Sequence, residues 1–335
     1  MPPLPHPFVV VNLFTSPRVA AAPEHPSPGP AHERSATAHR PSGMNSPSRR
    51  LKAGAKAVVK RLQRRIDRLL HAFGPADFAA AVRGLGVSAG DVVLVHSSFD
   101  AFRAFDGRPS DVIEALQKIV GREGAILMPT MPFSGTAVEW ARAHPTVDLR
   151  RTPSRMGLVS EVFRRMPDVV RSIHPTHPAA AWGDRAEALV AEHWRATTPC
   201  GVGSPYHRLL ECDGRILFLG ADVTSLTFFH TADALLGDRW PVSPFTEETF
   251  RLTTLARDGT AHITETRLFE PAVSRRRNLE KLLPELLARG AWKQSRVGRL
   301  TIAMVRARDV LDAVAALAAR GIHAYDEPLA SGQRG

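Results

Sequence analysis

The chain has 335 residues, 44% of them hydrophobic, which suffices for a buried core in one large or two small domains. No apolar run reaches the roughly 18–20 residues that cross a bilayer. The two cysteines, Cys200 and Cys212, form no CxxC pair, so a disulfide framework is not expected and a cytoplasmic setting is the default. The net charge of +11 is unevenly spread: the first 70 residues carry twelve Lys/Arg against three Asp/Glu, leaving only +2 on the remaining 265.

Residues 1–50 hold eleven of the 27 prolines together with much Ser, Ala and His, a composition that cannot offset the entropy of ordering, so a disordered extension is expected. Phe8 to Phe14 is short for a signal h-region and no Lys or Arg precedes it. An unprocessed tail, or a start at Met44, is expected rather than secretion. Residues 51–73 have helical periodicity, with Val58, Leu62, Ile66, Leu69 and Leu70 on one stripe and a basic opposite face. That face suits a membrane surface or nucleic acid, or is simply solvated on a helix packed against the body. No aromatic residues interleave the charges, so no nucleic-acid partner is expected.

From Gly74 the pattern becomes regular. Pro75 to Leu85 reads as a helix, Asp91 to His96 as a buried strand, and Ser97-Ser98-Phe99 as the turn after it. Ser110 is expected to cap a helix over 111–120, and Gly124 to Pro129 is the next buried strand, which together make a βαβ unit. Residues 131–152 read as a long irregular loop of the kind that often binds substrate. Helices follow at 155–165 and 187–194. Ser204 and Pro205 then suit the N-cap and first position of a helix that ends at Asp213-Gly214. Arg215 to Gly220 is a strand, and a helix over 226–236 carries His230 and Asp233 on one face before Gly237. Residues 250–255 and 262–268 alternate around Asp258-Gly259 as an antiparallel hairpin. An amphipathic stretch at 279–289, a strand at 300–305 and a helix at 310–320 close the pattern, and 327–335 reads as a disordered tail. The expected fold is α/β: one domain over 74–326, three layers α/β/α, with a mixed, largely parallel central sheet and the hairpin in the C-terminal half.

Within this frame Val169-Val170 leads into His174-Pro175, and the proline ends any ladder just past the imidazole, where open α/β sheets place their chemistry. A plain surface-loop histidine fits the same spacing. Five segments decide between them by their order: GDVVLVHSSF (90–99), GREGAILMPT (121–130), RSIHPTHPAAAWG (171–183), CGVGSPYHRLL (200–210) and ILFLGADVTSLTFFHTAD (216–233). In that order and spacing they resemble the aminoglycoside 3-N-acetyltransferase family, the antibiotic N-acetyltransferase fold, over roughly residues 74–325.

The resemblance implies direct transfer of an acetyl group from acetyl-CoA to an amine of an aminoglycoside, amino-sugar or other secondary metabolite, with no metal. It places the family histidine on His174, the expected general base, since a neutral imidazole can take the proton of an attacking amine. The family's HxAE pattern falls on His230 to Asp233, with Asp233 one methylene shorter than the usual Glu. The loop after the first strand is implied to line the CoA site through Val95, His96, Ser97, Ser98 and Phe99, with Arg103 a candidate phosphate contact. Helix-start N–H groups nearby would favour the anionic cofactor. The partner is then a small-molecule amine, and a homodimer is left open. The competing reading is a catalytically silent relative whose basic extension binds a membrane surface or nucleic acid. No GxSxG, HExxH, GxGxxG or P-loop directs the chain to another chemistry.

Overall fold

A computed structural model describes residues 70–237, 240 and 242–327. The expected extension at 1–50, all but the last four residues of the basic helix at 51–73, and the tail beyond 327 lie outside the described residues. The first βαβ unit comprises α1 (Pro75–Gly84), β1 (Val92–Ser97), α2 (Pro109–Val120) and β2 (Ala125–Pro129). α2 begins earlier than its sequence suggests. Pro109 takes the first position, and the Asp111 carboxylate accepts the Arg108 backbone N–H at 2.7 Å, so Asp111 rather than Ser110 caps it.

The central sheet has seven strands. They include β4 (Val170–Arg171), β5 (Ala179–Trp182), β6 (Arg215–Leu219), β9 (Lys293–Val297) and β10 (Leu300–Arg306), in the order β4-β5-β2-β1-β6-β10-β9. The sheet is mixed: β2, β1 and β6 run parallel at its centre, and the strands on either side pair antiparallel. Alternation along each strand feeds two cores. Val92, Leu94, Leu127, Ile216 and Phe218 face one side, while Val93, Val95, Ile126, Leu217 and Ile302 face the other. The first side is covered by α5 (Ala186–Val190), α6 (Pro205–Glu211), α7 (Phe229–Leu236) and α10 (Ala307–Ala319). The second is covered by α1, α2 and α4 (Leu158–Phe163). These are the three expected layers. Ile113 and Leu116 of α2 are fully buried, and each such side chain is worth about 1.5–3 kcal/mol.

The expected hairpin is present and longer, as β7 (Phe245–Leu255) and β8 (Ala261–Phe269). The expected irregular loop at 131–152 instead contains α3 (Ala137–Ala143) and β3 (Thr146–Asp148). β3 pairs parallel with β7, and α3 packs Val138 and Ala141 on Phe250 and Leu252. α3 starts on a reciprocal cap: the Glu139 N–H donates to Thr136 Oγ1 at 3.2 Å, and the Thr136 N–H donates to Glu139 Oε2 at 3.1 Å.

Arg171 ties the two sheets' surroundings together. Its guanidinium donates to Thr130 Oγ1 (2.9 Å), Thr130 O (2.6 Å), Leu149 O (3.0 Å) and Thr152 O (2.7 Å). Burial, more than its neighbours' charges, brings its pKa down to about 9, so it stays cationic at neutral pH. Arg171→Met should cost about 2–4 kcal/mol, because several buried carbonyls lose a charged donor at once. Chemical denaturation would measure this, and a loss under about 0.5 kcal/mol would refute the pinning role.

Candidate active site

The parallel strands β1, β2 and β6 end at one edge, and the next residues, Ser98 and Gly220, open a cavity there. This cavity of about 400 Å³ is lined by Val95, His96, Ser97, Ser98, Gly220 and Asp222, among others. Four of the six residues expected for CoA therefore lie on it. Phe99 and Arg103 do not. Phe99 stacks on Phe102 with ring centroids 5.3 Å apart, and Arg103 is exposed beyond the turn. Between the strand end and the start of α2 at Pro109 lies a three-residue 3-10 turn (Phe99–Ala101). The Ser98 N–H is already spent on Leu219 O at 3.0 Å. Gly220 has φ +66°, and a Cβ there would collide with Ala101, so the strand-to-turn junction requires glycine.

His96 lies 7% exposed, stacked 5.4 Å from Phe218; burial lowers its pKa to about 3, and its Nε2 has no partner. A second cavity of about 180 Å³ is lined by Met131, Phe133, His177, His230, Phe269 and Arg277, with small and hydroxylated residues between them. Thr224, Ser225 and Thr227 line both cavities, so the two adjoin along the segment leading to α7.

The loop between β4 and β5 delivers the histidines. It reaches the same edge because Ala179, at the start of β5, pairs with Pro129 at the end of β2. His174 is fully buried and lines neither cavity. Its Nδ1 accepts the backbone N–H groups of Thr176 (3.2 Å) and His177 (3.1 Å), which puts the proton of the neutral ring on Nε2, where no partner is found. The ring stacks 4.5 Å from His193, whose Nδ1 takes the Ser172 hydroxyl at 2.8 Å while its Nε2 donates to Pro199 O at 2.8 Å. Burial first, then the neighbouring His193 and His177, hold the His174 pKa well below the ordinary range. The Nδ1 lone pair of His174 is thus engaged by the loop's own backbone.

His177 is the histidine of this motif on the cavity. Its Nδ1 lies 2.9 Å from Thr176 Oγ1, and its ring meets Phe133 and Phe269 edge-on. Burial, then His193 and Arg277, lower its pKa to about 3, so it is neutral at physiological pH. Tyr206 donates to His177 O at 3.4 Å, and Trp140 of α3 donates to Pro175 O at 3.2 Å, so α6 and α3 both brace the loop. Ser204 caps α6 as expected, accepting the His207 N–H at 3.1 Å.

His230 and Asp233 meet as expected. His230 Nδ1 donates to Asp233 Oδ2 at 2.9 Å, and Tyr325 donates to the same oxygen at 2.8 Å. The other ring nitrogen, Nε2, accepts from Arg277 at 2.5 Å. Both nitrogens of His230 are therefore engaged, Nδ1 by Asp233 and Nε2 by Arg277, and its ring lines the smaller cavity. Burial pushes the Asp233 pKa up to about 8 against the opposing effects of the Tyr325 hydroxyl and the Arg277 charge. The shorter Asp does reach its histidine, being one turn away on α7. Arg277, Phe269 and Tyr325 escaped the sequence reading, since each belongs to a separate element far from the five motifs; the only hint was the Arg275-Arg276-Arg277 run.

A family model described as aminoglycoside 3-N-acetyltransferase matches residues 94–319. Among curated relatives, aminoglycoside N(3)-acetyltransferase VII of Streptomyces paromomycinus is 36% identical over 171 residues, covering 47% of this chain and 59% of that protein. The chain thus spans less than two thirds of that relative's length in the matched stretch. Among solved structures, aminoglycoside acetyltransferase AAC(3)-Xa superposes with a TM-score of 0.64 at 26% identity, covering 76% of this chain and 95% of that one. AAC-IIIb in a binary complex with CoASH gives 0.63 at 24%, covering 77% and 99%. Motif order, the α/β sheet with its cavity at the parallel strand ends, and the family match over most of the described residues agree: the chain belongs to the aminoglycoside 3-N-acetyltransferase family.

Proposed function

We propose that this chain is a CoA-dependent N-acyltransferase that moves the acetyl group of acetyl-CoA directly to an amine, and that His177, in place of His174, takes the amine proton. The observation that carries this reading is the adjoining of two cavities along Thr224, Ser225 and Thr227, one at the ends of β1 and β6 and the other holding His177. The relatives' names and the CoASH-bound fold neighbour support a CoA thioester in the first and an amine in the second. The larger cavity fits a slender pantetheine arm: its wall is rich in small residues, Ser97, Ser98, Ser160, Gly220 and Ala221. Asp222 is its one charged lining residue, so the phosphates of CoA belong outside it.

The histidine loop supports the proton transfer. When His177 Nδ1 donates to Thr176 Oγ1, the threonine hydroxyl points to His174 Nδ1, 3.3 Å away, and Nε2 of His177 is left as the lone pair. The amine nitrogen attacks the thioester carbonyl, the C–N bond forms and the C–S bond breaks. The nitrogen's proton passes to His177 Nε2, and the imidazolium returns it to the departing CoA thiolate. Base catalysis of this kind is worth on the order of 10²–10⁴-fold.

Acetyl-CoA should raise the melting temperature of the full chain by mass action. Thiol release should then depend on an added amine, with aminoglycosides the first acceptors to try on the strength of the relatives' names. Calorimetry that detects no CoA or acetyl-CoA binding up to millimolar concentration would remove the acyltransferase reading.

A further inference from the structure

Arg277 sets the charge of the smaller cavity. It follows α8 (Pro271–Ser274), and a backbone bridge to Tyr325 holds it in place. Its guanidinium donates to His230 Nε2 and has no carboxylate within ion-pair distance among the described residues. No Asp or Glu is among the described lining residues either. The nearest acids are already engaged: Asp233 sits fully buried behind His230, and Glu139 caps the Thr136 N–H at the start of α3. The arginines of the 131–152 segment do not line this cavity and are paired elsewhere, Arg142 with Glu248 and Arg150 and Arg151 with Asp148, so Arg277 is the charged group among its described lining residues.

A drug bearing several ammonium groups would meet a cation here and find no carboxylate, which is the wrong complementarity for tight recognition. The volume points the same way, since about 180 Å³ is below the roughly 300–1,000 Å³ of pockets that take drug-sized ligands. A guanidinium with several N–H donors left unpaired suits an oxyanion, which it can grip with two parallel hydrogen bonds.

We propose that the acceptor is a small amine carrying an anionic group, a carboxylate or a phosphate, and that Arg277 binds this group while the amine faces His177. The proposal rests on the N-acyltransferase reading. Burial first, then His193, depress the basicity of His177, and the Arg277 charge adds to them. An anion paired with Arg277 offsets that smaller contribution when the acceptor is bound.

The test uses the full chain, acetyl-CoA and matched acceptors: glucosamine, glucosamine 6-phosphate, muramic acid and short ω-amino carboxylates and phosphates, with paromomycin as the polycation. Thiol release and product mass are read for wild type, Arg277→Gln and Arg277→Glu. The expected result is a kcat/KM higher by roughly 30-fold or more for anionic acceptors than for their uncharged parents, with that ratio collapsing in both variants. The phosphate and carboxylate arms tell which oxyanion is preferred. The ratio is taken within each protein, so a partial folding defect in a variant cancels, and the wild-type preference stands without the variants. Acetylation of paromomycin at least as efficient as that of every anionic amine would overturn the Arg277 assignment while leaving the acyltransferase reading intact. No amine-dependent thiol release with any acceptor would overturn both.

Discussion

Replacing His177 by alanine is expected to lower kcat by about 10²–10⁴-fold while leaving the acetyl-CoA-induced rise in melting temperature in place. The loss is confined to kcat because His177 lines the smaller cavity and none of the larger one. His174 should behave differently. His174→Ala strips the acceptor from two buried backbone N–H groups and opens a void beside His193, so it should destabilise the fold by about 2–5 kcal/mol. His174→Asn can present its amide oxygen where Nδ1 stood, and should retain the fold and far more activity than His177→Ala. Near wild-type turnover in His177→Ala on an acetylated amine would end the assignment. So would a His174→Asn variant that folds and binds CoA normally yet loses as much rate as His177→Ala.

The pH dependence should be one of stability more than of a catalytic step near 6.5. His96, His174, His177, His193 and His230 are all held neutral chiefly by burial, with folded pKa values depressed to about 3 or well below the usual value. As pH falls below about 6.5 the unfolded chain takes up these protons and the folded chain does not, so stability is complete above 6.5 and is lost on the way down towards 3. Asp233 has the opposite sign. Its folded pKa of about 8 lies above the unfolded value, so its buried charge costs stability at neutral pH, and that cost is relieved by acid. Roughly four net protons remain, each worth up to about 1.4 kcal/mol per pH unit. Against a typical total of 5–15 kcal/mol, the protein should lose its fold between roughly pH 4 and pH 5.5. Circular dichroism and denaturant melts across pH 4–8 would show this. A midpoint of denaturation that stays level from pH 7 to pH 4 would refute it. Over pH 6–8 the initial rate should follow the acceptor amine's own ionisation, since His177 is neutral throughout.

Much of the architecture was legible in the residues because the pieces carry their own instructions. The buried apolar runs at 91–96 and 215–219, the Ser204–Pro205 helix start and the alternating 250–268 hairpin are local patterns, and each is present, the hairpin longer than its alternation indicated. The elements that escaped notice are those whose identity depends on neighbours. β5 reads Ala-Ala-Ala-Trp, with no β-branched residue, and is a strand only because β2 and β4 flank it. β9 is a polar edge strand completed by β10. α3 is an exception, since its Thr136–Glu139 cap was written in the chain and was overlooked within a Pro- and Gly-containing stretch.

The site divides in the same way. The motifs located the strand-end loop, the histidine pair in 171–183 and the His230–Asp233 contact, because each is local in sequence. Which of His174 and His177 faces the cavity was beyond them. Two residues of loop lie between them, and the choice is made by the backbone N–H groups that capture His174 Nδ1 and by His193, which stacks on it from a distant turn. The charge of the smaller cavity was equally out of reach. It depends on Arg277 being brought to His230 across 47 residues, and on Tyr325 and His230 engaging Asp233 behind it. Composition, periodicity and motif order determined the class of fold and the neighbourhood of the chemistry. Burial, tautomer and long-range pairing, which exist only once the chain is packed, decided which ring nitrogens are engaged and which side chains line the cavities.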